Sequence, residues 1–122
     1  MQNDAGRLVA NIPIFTILPN LKERTITMNL DPALQEEIRR YALLNKIEKV
    51  ILFGSRARGT NSDRSDVDLA VSGGNPRRFH TDLEERARTL LFFDVVDLSK
   101  PHLSPELLKE IEKDGVTIYE KI

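Results

Sequence analysis

The apolar run Val50-Ile51-Leu52-Phe53 stops at Gly54-Ser55, and ten residues separate that pair from Asp66-Val67-Asp68. A continuous apolar run suits a strand buried on both faces, and the glycine ends it. A short basic loop, Arg56-Ala57-Arg58-Gly59, follows. A second strand then opens with carboxylates at i and i+2, which project to the same side because strand side chains alternate. Two acidic groups held that close repel unless a cation lies between them. Hard oxygen ligands suit Mg²⁺, which typically takes one or two carboxylates together with substrate phosphate oxygens. Gly54 and Ser55 can offer backbone N–H groups and a hydroxyl to the rest of a polyphosphate. The local chemistry predicts metal-dependent handling of a nucleoside triphosphate.

Two better-known motifs do not fit the same stretch. Gly54 and Gly59 have P-loop spacing, but Thr60-Asn61 stands where a P-loop needs lysine. Asp63, Asp66 and Asp68 miss the alternate spacing, central glycine and final glutamate of a calcium loop. A third acid comes from Phe92-Phe93-Asp94-Val95-Val96-Asp97-Leu98. Its two aspartates are three apart, so they face opposite ways and only one can join Asp66 and Asp68. Asp94 has the more apolar neighbours, where a carboxylate is costly unless paired or metal-bound, and is chosen over Asp97, expected to cap or face solvent. Arg56 and Arg58 are candidate phosphate ligands, because guanidinium groups match phosphate oxygens. Arg77 and Arg78 are expected to be solvated, and His80 and His102 to be structural or surface residues.

The order of elements follows from caps and periodicity. Asp31-Pro32 opens a helix whose stripe is Leu34, Ile38, Tyr41, Ala42 and Asn45. Val67, Leu69 and Val71 form the core face of the second strand, opposite Asp66, Asp68 and Ala70. Ser72–Pro76 reads as a loop. Thr81-x-x-Glu84 reads as a capping box opening a helix to about Leu91, with Leu83, Ala87, Leu90 and Leu91 buried. Phe92–Leu98 is the third strand. Ser104-Pro105 opens a last helix carrying Leu107, Leu108 and Ile111, which Asp114-Gly115 ends, and Val116–Tyr119 adds a short edge strand. The fold class is therefore α/β (α+β): a small mixed sheet flanked by helices, with the first two strands antiparallel.

Composition narrows the class. The 122 residues carry 40% hydrophobic and 30% charged side chains, as in a globular domain. A formal net charge of −1 gives no global basic field, so no long nucleic acid is expected as partner. There is no cysteine and hence no disulfide frame or thiolate zinc site. No apolar run reaches the roughly 18 residues of a membrane span. The apolar stretch Leu8–Leu18 contains Asn11 and Pro13 and lacks the marks of a signal peptide. Residues 1–30 are expected to be an N-terminal extension or arm, residues 31–122 the compact domain, and the location cytoplasmic.

Ile51-Leu52-Phe53-Gly54-Ser55-Arg56-Ala57-Arg58-Gly59, with Ser65-Asp66-Val67-Asp68-Leu69-Ala70-Val71, resembles the minimal nucleotidyltransferase (MNT) family of the DNA polymerase β-type superfamily. Asp94–Leu98 and Glu112–Tyr119 resemble the C-terminal half of that family, so the likeness spans about residues 31–122. It implies a polymerase β-type nucleotidyltransferase fold and a Mg²⁺-dependent reaction with two ions. Gly54 and Ser55 would hold the β- and γ-phosphates of ATP. Asp66 and Asp68 would bind the metals, and Asp94 would complete the triad. An acceptor hydroxyl would attack the α-phosphate and release pyrophosphate.

The motif is specific for the superfamily and uninformative about the acceptor. Proteins of this kind are often antitoxins of HEPN/MNT toxin–antitoxin pairs, in which AMP is transferred to a tyrosine of the HEPN ribonuclease. The resemblance thus implies a HEPN-type partner protein and AMPylation. The chain is too small to carry a separate acceptor-binding domain, so the arm at residues 8–18 would serve partner contact or homo-oligomer formation. Two alternatives have distinct signatures. A non-catalytic antitoxin that neutralises by binding would act stoichiometrically without ATP. A small-molecule nucleotidyltransferase would release pyrophosphate with a small acceptor.

Overall fold

The computed structural model describes residues 28–122. The expected arm at residues 8–18 lies outside this range. Within it, Leu30 is buried in the core and Met28 packs against it, and the Asn29 N–H donates to the Arg56 carbonyl at 2.8 Å. The chain is thus fastened to the domain before the first described helix.

That helix, α1 (Pro32–Leu44), starts as its sequence predicts. The Asp31 carboxylate accepts from the Ala33 N–H at 2.9 Å, Pro32 occupies the first turn, and Leu34, Ile38, Tyr41 and Ala42 are buried. β1 (Lys49–Phe53) follows. Residues Ser55–Arg58 then form a single helical turn, α2, closed by Gly59 in the left-handed conformation at φ 78°, where the sequence suggested a loop. β2 is Val67–Ser72, α3 is Pro76–Arg86 and β3 is Phe93–Asp97. The last helix, α4 (Pro105–Asp114), is capped by the Ser104 hydroxyl, which accepts from the Leu107 N–H at 3.0 Å. β4 is Val116–Glu120.

The four strands form one mixed sheet in the order β3-β2-β1-β4. β1 is antiparallel to β2 and to β4, with a register shift between Val50 and Ile51 on the β4 side. β2 and β3 run parallel. Strand alternation divides the apolar residues between two faces. On one, Val50, Leu52, Val67, Leu69, Val71 and Phe93 pack with residues of α1 and α3 into the main core. On the other, Phe53 and Ala70 pack with Ile111 of α4, with Ile51, Val96 and Leu107 beside them. Asp68, two residues from Ala70, belongs to this second face and is half-buried.

The third helix departs from the expected capping box. It begins at Pro76, and the Asn75 side chain accepts from the Arg78 N–H at 3.1 Å. Asn75-Pro76 is the same opening signal as Asp31-Pro32, but the preceding Gly73-Gly74 makes the segment look like plain loop. Phe79 is consequently fully buried, and Thr81 lies mid-helix. Glu84 does not cap; its carboxylate accepts from the Phe93 N–H at 3.0 Å and ties the helix to β3. The helix ends at Arg86, short of Leu91. Leu90, expected in the buried stripe, is 99% exposed, and Leu108 of α4 is also exposed.

Candidate active site

The site is built at the turn that leaves β1. Gly54 has φ 76°, a left-handed value that disfavours any other residue. A Cβ at that position would also run into the Asp68 carboxylate. The turn therefore needs glycine twice over, once for its backbone and once for its neighbour. Ser55 opens α2 immediately beyond it.

Strand register places the acids. Phe53, the last residue of β1, is the Cα partner of Asp68, and Asp68 is in turn the partner of Asp94 across the parallel pair. Partners in a ladder project to the same face, so Asp68 and Asp94 stand side by side. Asp66 lies just before β2 and is exposed, as is Asp94, whereas Asp68 is half-buried. The choice between Asp94 and Asp97 thus turns on register rather than on apolar surroundings, since Asp94 sits exposed on the edge strand. Asp97 pairs with Val71 and so projects to the opposite face. Its carboxylate accepts from the Ser99 hydroxyl at 2.7 Å and the Ser99 N–H at 2.9 Å, and these bonds hold it below its usual pKa.

The electrostatics of Asp68 mark this cluster. Burial, then the charges of Asp94, Asp66 and Glu110, push its carboxyl up to about 6, against a smaller opposing pull from Arg58. Mutual repulsion among hard oxygen donors is the condition that a divalent cation relieves, so the donor chemistry fits Mg²⁺. Among the described residues, no three histidine or acidic side chains are gathered in a ready ligating geometry. Two cavities, one lined by residues including Leu30, Leu34 and Leu91 and the other by residues including Asn75, Arg77 and Lys100, contain none of these three aspartates. Asp66 and Asp94 stand exposed on either side of the half-buried Asp68, which abuts the Gly54 turn.

The two arginines of α2 have different fates. Arg56 is only 6% exposed. Its guanidinium donates to the carbonyls of Ser65 at 3.0 Å, Asp63 at 3.1 Å, Asn29 at 3.4 Å and Ser62 at 3.5 Å. It ties the connection between α2 and β2 to the domain's first residues and turns inward, away from a role as phosphate ligand. Arg58 is accessible and pairs with Asp114 at 3.1 Å and Glu110 at 3.4 Å. Arg77 and Arg78 are exposed, as expected. His80 is structural: its Nε2 is 2.8 Å from the Phe93 carbonyl and 3.4 Å from Glu84. Glu110 and Asp114, the partners of Arg58, are candidates that the sequence does not single out. Their spacing along one face of α4 is legible, but nothing in the sequence says that this face meets α2.

A family model described as "Polymerase beta, Nucleotidyltransferase" matches residues 36–122. No curated protein matches the chain. Among solved structures, a toxin–antitoxin complex with AMP-PNP is 23% identical at a TM-score of 0.58, over 71% of this chain and 73% of that one. A mutant of the toxin–antitoxin MntA-HpeT is also 23% identical, at a TM-score of 0.57, over 76% of this chain and 75% of that one. These likenesses concern the fold. Among the described residues no helix is long and apolar enough to cross a membrane.

Proposed function

Because this chain belongs to the polymerase beta nucleotidyltransferase family, we propose that it transfers AMP from ATP to a hydroxyl of a partner protein, a tyrosine of a HEPN-type toxin, and so acts as a cytoplasmic antitoxin. The observation that carries this reading is the register of Asp68 against Asp94, with Asp66 at i−2 and Gly54 giving way to the Asp68 carboxylate. The fold likeness to toxin–antitoxin structures, one of them with AMP-PNP, supports the choice of nucleotide and partner.

In this mechanism Gly54 and Ser55 bind the β- and γ-phosphates, through backbone N–H groups and the serine hydroxyl. Asp66, Asp68 and Asp94 would hold Mg²⁺, two ions in the full arrangement, which when bound neutralises charge on the attacking and leaving oxygens. The tyrosine oxygen attacks the α-phosphorus in line. The new O–P bond forms as the bond from the α-phosphorus to the bridging oxygen breaks, and pyrophosphate leaves. The phenolic proton passes to Asp94, whose exposed position on the edge strand leaves it accessible to an incoming protein side chain. Of the two arginines in the motif, Arg58 is the phosphate ligand; Arg56 supports the loop.

Co-expression of the chain with its HEPN partner tests this. Mass spectrometry should find adenylylated tyrosine on the partner with the unmutated chain and none with Asp68→Ala. A partner neutralised to the same extent by Asp68→Ala, without modification, would establish neutralisation by binding alone.

A further inference from the structure

The ion pairs that join α2 to α4 assign a task to two acids of α4. We propose that Glu110 and Asp114 are positioning residues that clamp the Arg58 guanidinium at the rim of the aspartate cluster, so that its remaining donors meet the triphosphate. This rests on the nucleotide-binding role given above to Arg58.

Glu110 and Asp114 are one helical turn apart and therefore share a face of α4. Both accept from the same nitrogen, Arg58 Nη1, at 3.4 and 3.1 Å. The hydrogen bonds that Arg58 makes among the described residues use this nitrogen alone. Guanidinium carries five N–H donors in a rigid plane, so a grip on Nη1 leaves Nε and Nη2, which bond no described residue, to form a fork for phosphate oxygens. The fork would otherwise swing on a long side chain; the clamp removes that freedom before the nucleotide arrives.

The clamp is anchored from behind. Ile111, between the two acids, is buried against Phe53 and Ala70. Gly115, the residue after Asp114, lies so close to the Ile111 carbonyl and the Ile51 side chain that a Cβ would not fit. This fixes the end of α4, and with it Asp114, against β1. On the other side Arg58 is three residues after Ser55 on α2, on the same side of the turn. Ile111 packs on Phe53, the Cα partner of Asp68, and α2 leaves the Gly54 turn that abuts the Asp68 carboxylate, which places the clamp beside the aspartates rather than at a remote surface.

The test is a set of MgATP affinities, read by calorimetry, with KM and kcat for transfer where an acceptor is in hand. Glu110→Gln and Asp114→Asn should each weaken MgATP binding about three- to tenfold and raise KM to match, with kcat within about twofold. In an Arg58→Ala background the same substitutions should change nothing further, the non-additivity expected of groups that act through one another. Glu110→Asp, which keeps the charge, should recover part of the affinity. Unchanged or tighter binding, or an equal loss with and without Arg58, would overturn the proposal. An unmutated chain that binds MgATP but labels no acceptor would sink the transfer mechanism and leave the clamp to be decided by the affinities. One that binds no MgATP would refute both.

Discussion

Gly54 and Asp68 occupy adjoining volume, and each limits what the other position tolerates. Gly54→Ala adds a Cβ at φ 76° against the Asp68 carboxylate. This positive-φ, extended-ψ backbone, essentially confined to glycine, alone costs about 1–3 kcal/mol for alanine, and the displaced carboxylate should lower transfer about 100-fold or more, an effect separable from folding by comparing urea midpoints with initial rates. Asp68 itself is raised to about 6. A carboxyl raised in the folded chain contributes most to stability below its ordinary value of 3.8 and loses that contribution as pH rises through about 6. Asp68→Asn, assayed in a chelator, should therefore be more stable than the unmutated chain at pH 8 by about 1–2 kcal/mol, after allowing for solvent screening of a half-buried group, and no more stable near pH 4. Urea unfolding at the two pH values checks it, and a gain independent of pH would contradict the repulsion described here. The acids are legible in the sequence because Asp-x-Asp after an apolar strand and a Gly-Ser turn is a local pattern. The burial of Arg56 is not legible there for the converse reason. Its four carbonyl partners include Asn29, far back in the chain, and no local pattern announces such a bond.

Among the elements, α2 and α3 hold the instructive differences. The turn Ser55–Arg58 is too short to show helical periodicity, and it is stabilised by what Arg56 does beneath it. Arg56→Lys keeps the charge but cannot reach four carbonyls from one ammonium. It should destabilise the domain by about 2–3 kcal/mol, since buried carbonyls would lose their donors, whereas a simple phosphate-binding arginine would leave thermal unfolding unchanged. At α3 two capping signals compete in the sequence, Asn75-Pro76 and Thr81-x-x-Glu84. Asn75→Ala should cost about 1 kcal/mol, and Thr81→Ala should fall within about 0.5 kcal/mol of the unmutated chain. The opposite order would move the start of the helix back to Thr81. The remaining elements were legible because their signals do not compete: Asp31-Pro32 and Ser104-Pro105 open helices with no rival nearby, and the alternation of Val67, Leu69 and Val71 gives the second strand its inner face directly. The edge position of β3 was not legible, because Val95-Val96 reads equally well as interior strand, and only the pairing order shows that Asp94 stands open to the outside.

For the molecule as a whole, the sheet and α4 bring together groups from four separate stretches of chain: the Gly54 turn, Asp66 with Asp68, Asp94, and Glu110 with Asp114. The common charge of the acids among them would link binding of the proposed metal to folding. Millimolar Mg²⁺ should raise the melting temperature of the unmutated chain near pH 8, because an ion that binds only the folded form stabilises it by mass action. The same addition should leave Asp68→Asn unchanged, and an equal rise in both would place the ion elsewhere. In the proposed reaction the acceptor belongs to the partner rather than to the motif, which is why the sequence names the chemistry far more sharply than the partner. Transfer itself is tested most directly by incubating the chain and the HEPN-type partner proposed for it with Mg²⁺ and ATP labelled at either the α- or the γ-phosphate. AMP transfer predicts that the partner acquires the α-label and not the γ-label, and that Asp68→Asn abolishes it. A γ-label on the partner, or no label while MgATP binds and the partner is still silenced, would contradict it.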